Sequence, residues 1–165
     1  MEKLRHKTKI TSGVVIIVTT FLGLFFWWII RGELIHDINS WRLQIKFYVT
    51  DIPHPQSVLL KKISYLGGPS FHGDNRCIYA VGEIRTSPLT KTEIRSAYSS
   101  ISIDFGRKIL PLQVLFADEY EGPYTMPYVD WQDELREIEV SKDTPYVVYV
   151  SAERPVIFYD GRCDD

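Results

Sequence analysis

Two cysteines, four histidines and one carboxylate set in a strand-like run are the groups that could do chemistry in this chain. His72 and Asp74 stand two residues apart in FHGDN (71–75), and His54 lies upstream in DIPHPQS (51–57). Converged, the three would offer imidazole and carboxylate ligands to a metal that activates water, the chemistry of a small hydrolase. Nothing in their spacing compels convergence. The segment therefore reads as a polar turn in which Asp74 and Asn75 satisfy local amides.

Glu83 sits in mid-strand, within reach of Arg85 or Lys62. Burial would raise its pKa and suit it to acid catalysis, whereas a partly solvated face leaves a simple ion pair, the expected outcome. The tripeptide DFG at Asp104 to Gly106 resembles the magnesium-binding tripeptide of protein kinases, but no phosphate-covering glycine loop, partner lysine or HRD segment accompanies it, so it reads as a turn. No HExxH, GxSxG or CxxC spacing occurs. Neither a cofactor nor a metal is expected, and catalysis ranks below binding.

Cys77 and Cys163 form an even pair. In an oxidising compartment they are expected to close a disulfide that fastens the tail GRCDD to a central strand; the alternative is a buried Cys77 thiol and a free tail.

EYEGPYTMPYVDW (119–131) is too rich in glycine and proline for regular structure, yet it holds Tyr120, Tyr124, Met126, Tyr128 and Trp131. Tyr120, Tyr124, Tyr128 and Trp131 are the candidate binding residues, since aromatic rings on a stiff loop give contact area at low entropic cost. The competing reading folds the loop over the sheet, its rings covering core.

These groups must be positioned by the chain around them. From Ile10 to Ile30 it is uncharged, and as a helix this run spans roughly 30 Å, the hydrocarbon thickness of a bilayer. It ends in Phe25, Phe26, Trp27 and Trp28, an interfacial aromatic belt, with no small-residue cleavage site behind it. Lys3, Arg5, Lys7 and Lys9 precede the run and Arg31 alone follows closely, so the positive-inside bias keeps residues 1–9 cytoplasmic and exports the rest. The expected organisation is a basic tail (1–9), a signal-anchor helix in the lipid bilayer (10–30), a juxtamembrane helix and linker (31–56) and an extracytoplasmic domain (57–165). A bacterial inner membrane, with the domain periplasmic or exterior, is the expected setting.

Beyond the anchor, Leu34, Ile38, Trp41, Ile45 and Tyr48 recur at helical spacing. The stripe either pairs with a second copy as a homodimer or packs on the protein's own domain. Leu43, Ile45, Phe47 and Val49 alternate as in a strand, so the helix is expected to end near Lys46. The prolines of DIPHPQS mark a linker, with the folded domain placed after it.

SVLLKKISYLGG leans towards a strand, and RCIYAVGEIRT (76–86) is the clearest one, with Ile78, Ala80, Gly82 and Ile84 on one face. Bare Gly82 invites a helix or loop to pass close above it. Thr90-Lys91-Thr92-Glu93 is a capping box opening a helix that buries Ile94, Ala97 and Tyr98. ILPLQVLFAD (109–118) reads as one strand, 131–139 as a helix capped by Asp130, and PYVVYV (145–150) and PVIFY (155–159) as two strands. Strands and helices without a βαβ repeat give an α+β fold: a mostly antiparallel sheet with one or two packed helices behind a single transmembrane helix.

The formal net charge is −2, but acids outnumber bases from residue 118 onward, which argues against nucleic acid as a partner. The functional expectation is a single-pass, membrane-anchored binding or accessory protein engaging a protein partner at the envelope. The alternative is a small membrane-anchored hydrolase or metal-dependent enzyme using His54, His72, Asp74 and Glu83.

Overall fold

A computed structural model describes residues 2–68, 76–119, 128–138, 143–155 and 160–163. Helix α1 runs unbroken over Glu2–Val49. Among the described residues it is the helix long and apolar enough to cross a membrane. Side chains 15–28 are all exposed, a largely apolar surface interrupted by Thr19 and Thr20. The hydroxyls of Thr19 and Thr20 donate back to the carbonyls of Val15 and Ile16, which satisfies both within the helix.

The helix continues three residues past Lys46, and Thr50 closes it by donating both N–H and hydroxyl to the Lys46 carbonyl. The alternation from Leu43 to Val49 is therefore not a strand. Leu43 and Phe47 lie one turn apart on the buried face and join the core, so the core draws on residues that precede the linker.

The sheet holds β1 (Val58–Gly67), β2 (Arg76–Ser87), β5 (Gln113–Phe116) and β6 (Thr144–Pro155) in the order β1-β2-β6-β5, with every pair antiparallel. Its alternating faces build two layers of core. Cys77, Tyr79 and Val81 on β2, with Tyr146, Val148 and Val150 on β6, meet α1, helix α2 (Lys91–Tyr98) and the hairpin of β3 (Ser102–Phe105) and β4 (Lys108–Pro111). Ala80, Ile84, Val147 and Tyr149 face the other way, onto Trp131 and Leu135 of helix α3 (Tyr128–Glu137). The architecture is α+β.

The capping box forms: Thr90 accepts from the Glu93 amide, and the Glu93 carboxylate accepts from the Thr90 N–H at 2.8 Å. Ile94 and Tyr98 of α2 are buried.

Four expectations are corrected. ILPLQVLFAD is two strands in two different sheets, since Pro111 has no N–H to continue a ladder and Leu112 turns its own N–H to the Ile101 carbonyl at 3.0 Å. Leu110, Leu112 and Phe116 still share one core. PYVVYV does not stop at Val150: β6 runs on through Ser151 to Arg154, because β2 supplies ladder partners as far as Arg76; residues 156–159 lie outside the described ones. Helix α3 begins at Tyr128, which places Asp130 inside it rather than at its cap. The body above Gly82 is the neighbouring strand, not a helix or loop: a Cβ there would lie 2.6 Å from Val148 O and 2.7 Å from Tyr149 Cβ.

Candidate functional site

Cys77 and Cys163 are bonded, with Cα atoms 5.0 Å apart and a sequence separation of 86. The tail is held by more than sulfur. Gly68 N–H donates to the Arg162 carbonyl at 2.7 Å, and Arg162 reaches Asp160 at 2.8 Å and Asp37 of α1 at 2.6 Å. Burial raises the pKa of the Asp160 carboxyl, but the hydrogen bonds and charge of Arg162 outweigh that and leave it below the usual value. Donor atoms of His36, Cys77, Asp160 and Cys163 lie within 4.8 Å of one another. With the two sulfurs spent on each other, the group is a staple and not an open ligand set.

His36 is buried. Its Nδ1 shares a hydrogen bond with the Tyr79 hydroxyl, and the rings stack with centroids 5.8 Å apart. Burial pushes the Tyr79 phenol up, which keeps it protonated and a donor at neutral pH.

The same pair floors a cleft of about 470 Å³ between α1 and the β3–β4 hairpin. Ile35, His36 and Asn39 line it from α1, Phe105 to Lys108 from the hairpin, and Glu153 and Arg154 from β6. A second cavity of about 290 Å³ shares Asn39, Phe105, Gly106 and Arg154 and adds Arg42 and Lys46. DFG is the turn expected of it: Phe105 pairs with Lys108, and Gly106 takes φ 68° between them, a backbone state glycine reaches without strain. That tight turn brings Arg107 and Lys108 to the rim. Across from them the Arg154 guanidinium lies 5.4 Å from the Phe105 ring centre. Lys108 Nζ donates to the Glu153 carbonyl, while the Glu153 carboxylate is taken by Arg76 at 2.8 Å. The cleft thus has apolar walls, a polar floor and a rim with excess positive charge.

A second polar cluster sits beside the linker. Glu83 and Arg85, two apart on one face of β2, are buried and bonded at 2.5 Å, and Arg85 Nε donates to Ser57 at 3.0 Å. His54 Nε2 lies 3.6 Å from Glu83, and Nδ1 lies 3.0 Å from the Tyr98 hydroxyl, which in turn meets Tyr146 at 3.0 Å. Burial, then Arg85, lowers the His54 pKa, with Glu83 opposing. Burial and the Glu83 charge push the Tyr48 phenol up to about 12. Lys62 sits over the Tyr48 ring, 4.2 Å from its centre. The cluster pins DIPHPQS to the sheet through groups that satisfy one another.

Of the residues expected at a hydrolytic site, His54 and Glu83 are brought together, while His72 and Asp74 lie outside the described residues. Tyr120 and Tyr124 also lie outside them, as does the side chain of Tyr128. Trp131 is buried, its ring edge-on to Tyr149 with centroids 5.5 Å apart; it covers core and offers no face to a partner. The stripe Leu34, Ile38, Trp41, Ile45 and Tyr48 is exposed, because His36, Ser40, Leu43 and Phe47 on the opposite side make the packing. Its upper end does meet the protein's own domain, since Ile45 lines the second cavity and Tyr48 reaches the Gly82 carbonyl beneath Lys62, whereas Leu34, Ile38 and Trp41 stay outside.

Sequence reasoning missed the cleft. Its cations come from the hairpin and β6, more than 40 residues apart, and only the run of bases after the DFG turn is visible as a local signal. The chain matches no protein-family model, no curated protein and no solved structure.

Proposed function

We propose that the protein is a single-pass, membrane-anchored binding module that holds an anionic amphiphile at the membrane surface, in the cleft between α1 and the β3–β4 hairpin. The observation that carries this reading is the position of that cleft together with its charge. Ile35 and Asn39 stand four and eight residues beyond Arg31, a rise of roughly 6 and 12 Å, at and just above a headgroup layer some 5–7 Å deep on each side of a bilayer. Ile35 and Phe105 suit an acyl or other apolar segment. Arg107, Lys108 and Arg154 suit a phosphate or carboxylate head, which guanidinium groups meet in bidentate fashion.

Two features favour a domain outside the cytoplasm. Four bases precede the apolar run and one follows it closely, the positive-inside arrangement. The disulfide belongs to an oxidising compartment. A protein partner at the envelope remains compatible with this reading, with the lipid site placing the module beside it.

The test uses the full chain in nanodiscs of mixed phosphatidylcholine and phosphatidylglycerol, released into native mass spectrometry. One retained phosphatidylglycerol is expected, lost in the Arg107→Ala/Arg154→Ala double variant and not displaced by millimolar inorganic phosphate. Displacement by phosphate would assign the site to a free anion. Equal retention of the zwitterionic lipid, or no effect of the double variant, would remove the reading altogether.

A further inference from the structure

We propose that the protein assembles as a parallel homodimer along the outer face of α1. The inference is independent of any ligand in the cleft. Beyond the membrane span, Leu34, Ile38, Trp41, Ile45 and Tyr48 follow spacings of 4, 3, 4 and 3, the repeat that keeps one seam of a helix facing a partner helix. Leu34 is 55% exposed and Trp41 61%, a large apolar outlay for a surface that meets only water.

Written as heptads, Ile38 and Ile45 take the a positions and Leu34, Trp41 and Tyr48 the d positions. β-branched residues at a favour two strands over three or four. In the same register His36, Ser40, Leu43 and Phe47 fall at f and c, the positions that point away from a partner in a two-stranded coil, and these are the residues buried against the protein's own sheet. Each copy's domain therefore leaves Leu34, Ile38 and Trp41 open and meets the stripe only at its upper end, at Ile45 and Tyr48.

Asp37 at g is held within its own copy by Arg162 at 2.6 Å, and Arg42 at e borders the second cavity, so neither flank places an unpaired carboxylate on the seam. Two copies anchored in one membrane from the same side can only be parallel. Arg31 at the preceding a position ends the seam at the membrane face, and the Tyr48 hydroxyl, which donates to the Gly82 carbonyl at 3.4 Å, ends it at the top.

A seam of two heptads is marginal for free helices in water. Confinement to one membrane supplies the effective concentration that a short seam needs.

Cysteine scanning in native membranes tests the proposal, since Cys77 and Cys163 are bonded and buried. After mild oxidation Ile38→Cys and Trp41→Cys are expected to give a band at twice the mass of the chain, several-fold stronger than Lys46→Cys at the exposed b position. Förster transfer between two differently labelled full-length copies in vesicles is the second measurement, expected to be lost in Ile38→Asp/Ile45→Asp while the thermal melt is kept. Cross-links equal at the three positions, absent at 38 and 41, or formed with a chain of another mass would overturn the homodimer, as would energy transfer that survives the double aspartate variant.

Discussion

Cys163→Ser removes the covalent closure of an 86-residue loop while changing one buried sulfur to oxygen. In the chain-entropy picture, closing a loop of that length restricts the unfolded chain by about 4.5 kcal/mol, a large part of the roughly 5–15 kcal/mol that holds a domain of this size together. With an unfolding entropy near 2.1 cal/mol/K per residue over roughly 110 residues, the melting temperature should fall by about 15–20 °C. The fall has a structural sequel. The tail that Cys163 holds carries Asp160 and Arg162, whose contacts reach Gly68 and Asp37, so their shared order goes with it. The assay is near-ultraviolet circular dichroism of the full chain in detergent, comparing wild type, wild type with a dithiol reductant, and Cys163→Ser. The reduced wild type and the variant should melt together, well below the oxidised protein. A variant melting within about 2 °C of the oxidised wild type would refute the reasoning, because the loop closure would then contribute almost nothing.

Arg85→Ala leaves the buried Glu83 carboxylate without its partner and should destabilise the domain by about 3–5 kcal/mol in denaturant titration; the Arg85→Ala/Glu83→Leu double variant should recover much of that loss. His54 gives the domain a pH dependence of defined sign. Its folded pKa lies below the ordinary 6.5, so the unfolded chain binds more protons in that window, and stability is full above pH 6.5 and falls as pH drops through it. His54→Asn should flatten that part of the stability profile measured by urea titration at successive pH values.

What could be read in the sequence depended on how local the cause was. The apolar run, the Thr90 to Glu93 capping box and the two faces of 76–86 declare themselves within one helical turn or one strand. ILPLQVLFAD divides because a proline removes one donor while two separate partners compete for the halves, and neither partner is visible from the segment. The length of β6 is set by β2, far away in the chain. Along α1 the packed face hides from hydrophobic periodicity because it uses His36 and Ser40, while the greasier stripe beside it stays outside. The cleft was illegible for a related reason: its arginines and lysine are brought together by topology, with no shared spacing to betray them.

Helix α1 has no break between its apolar run and Val49, and its upper part is built into the core. A bilayer that thins or thickens changes the tilt of a spanning helix, and in the anchored arrangement proposed above the whole folded head would lean with it. The portion beyond Arg31 is a lever of roughly 27 Å, so a lean of 10° sweeps its tip by about 5 Å. Bilayer thickness would thereby be geared to the sideways position of the head.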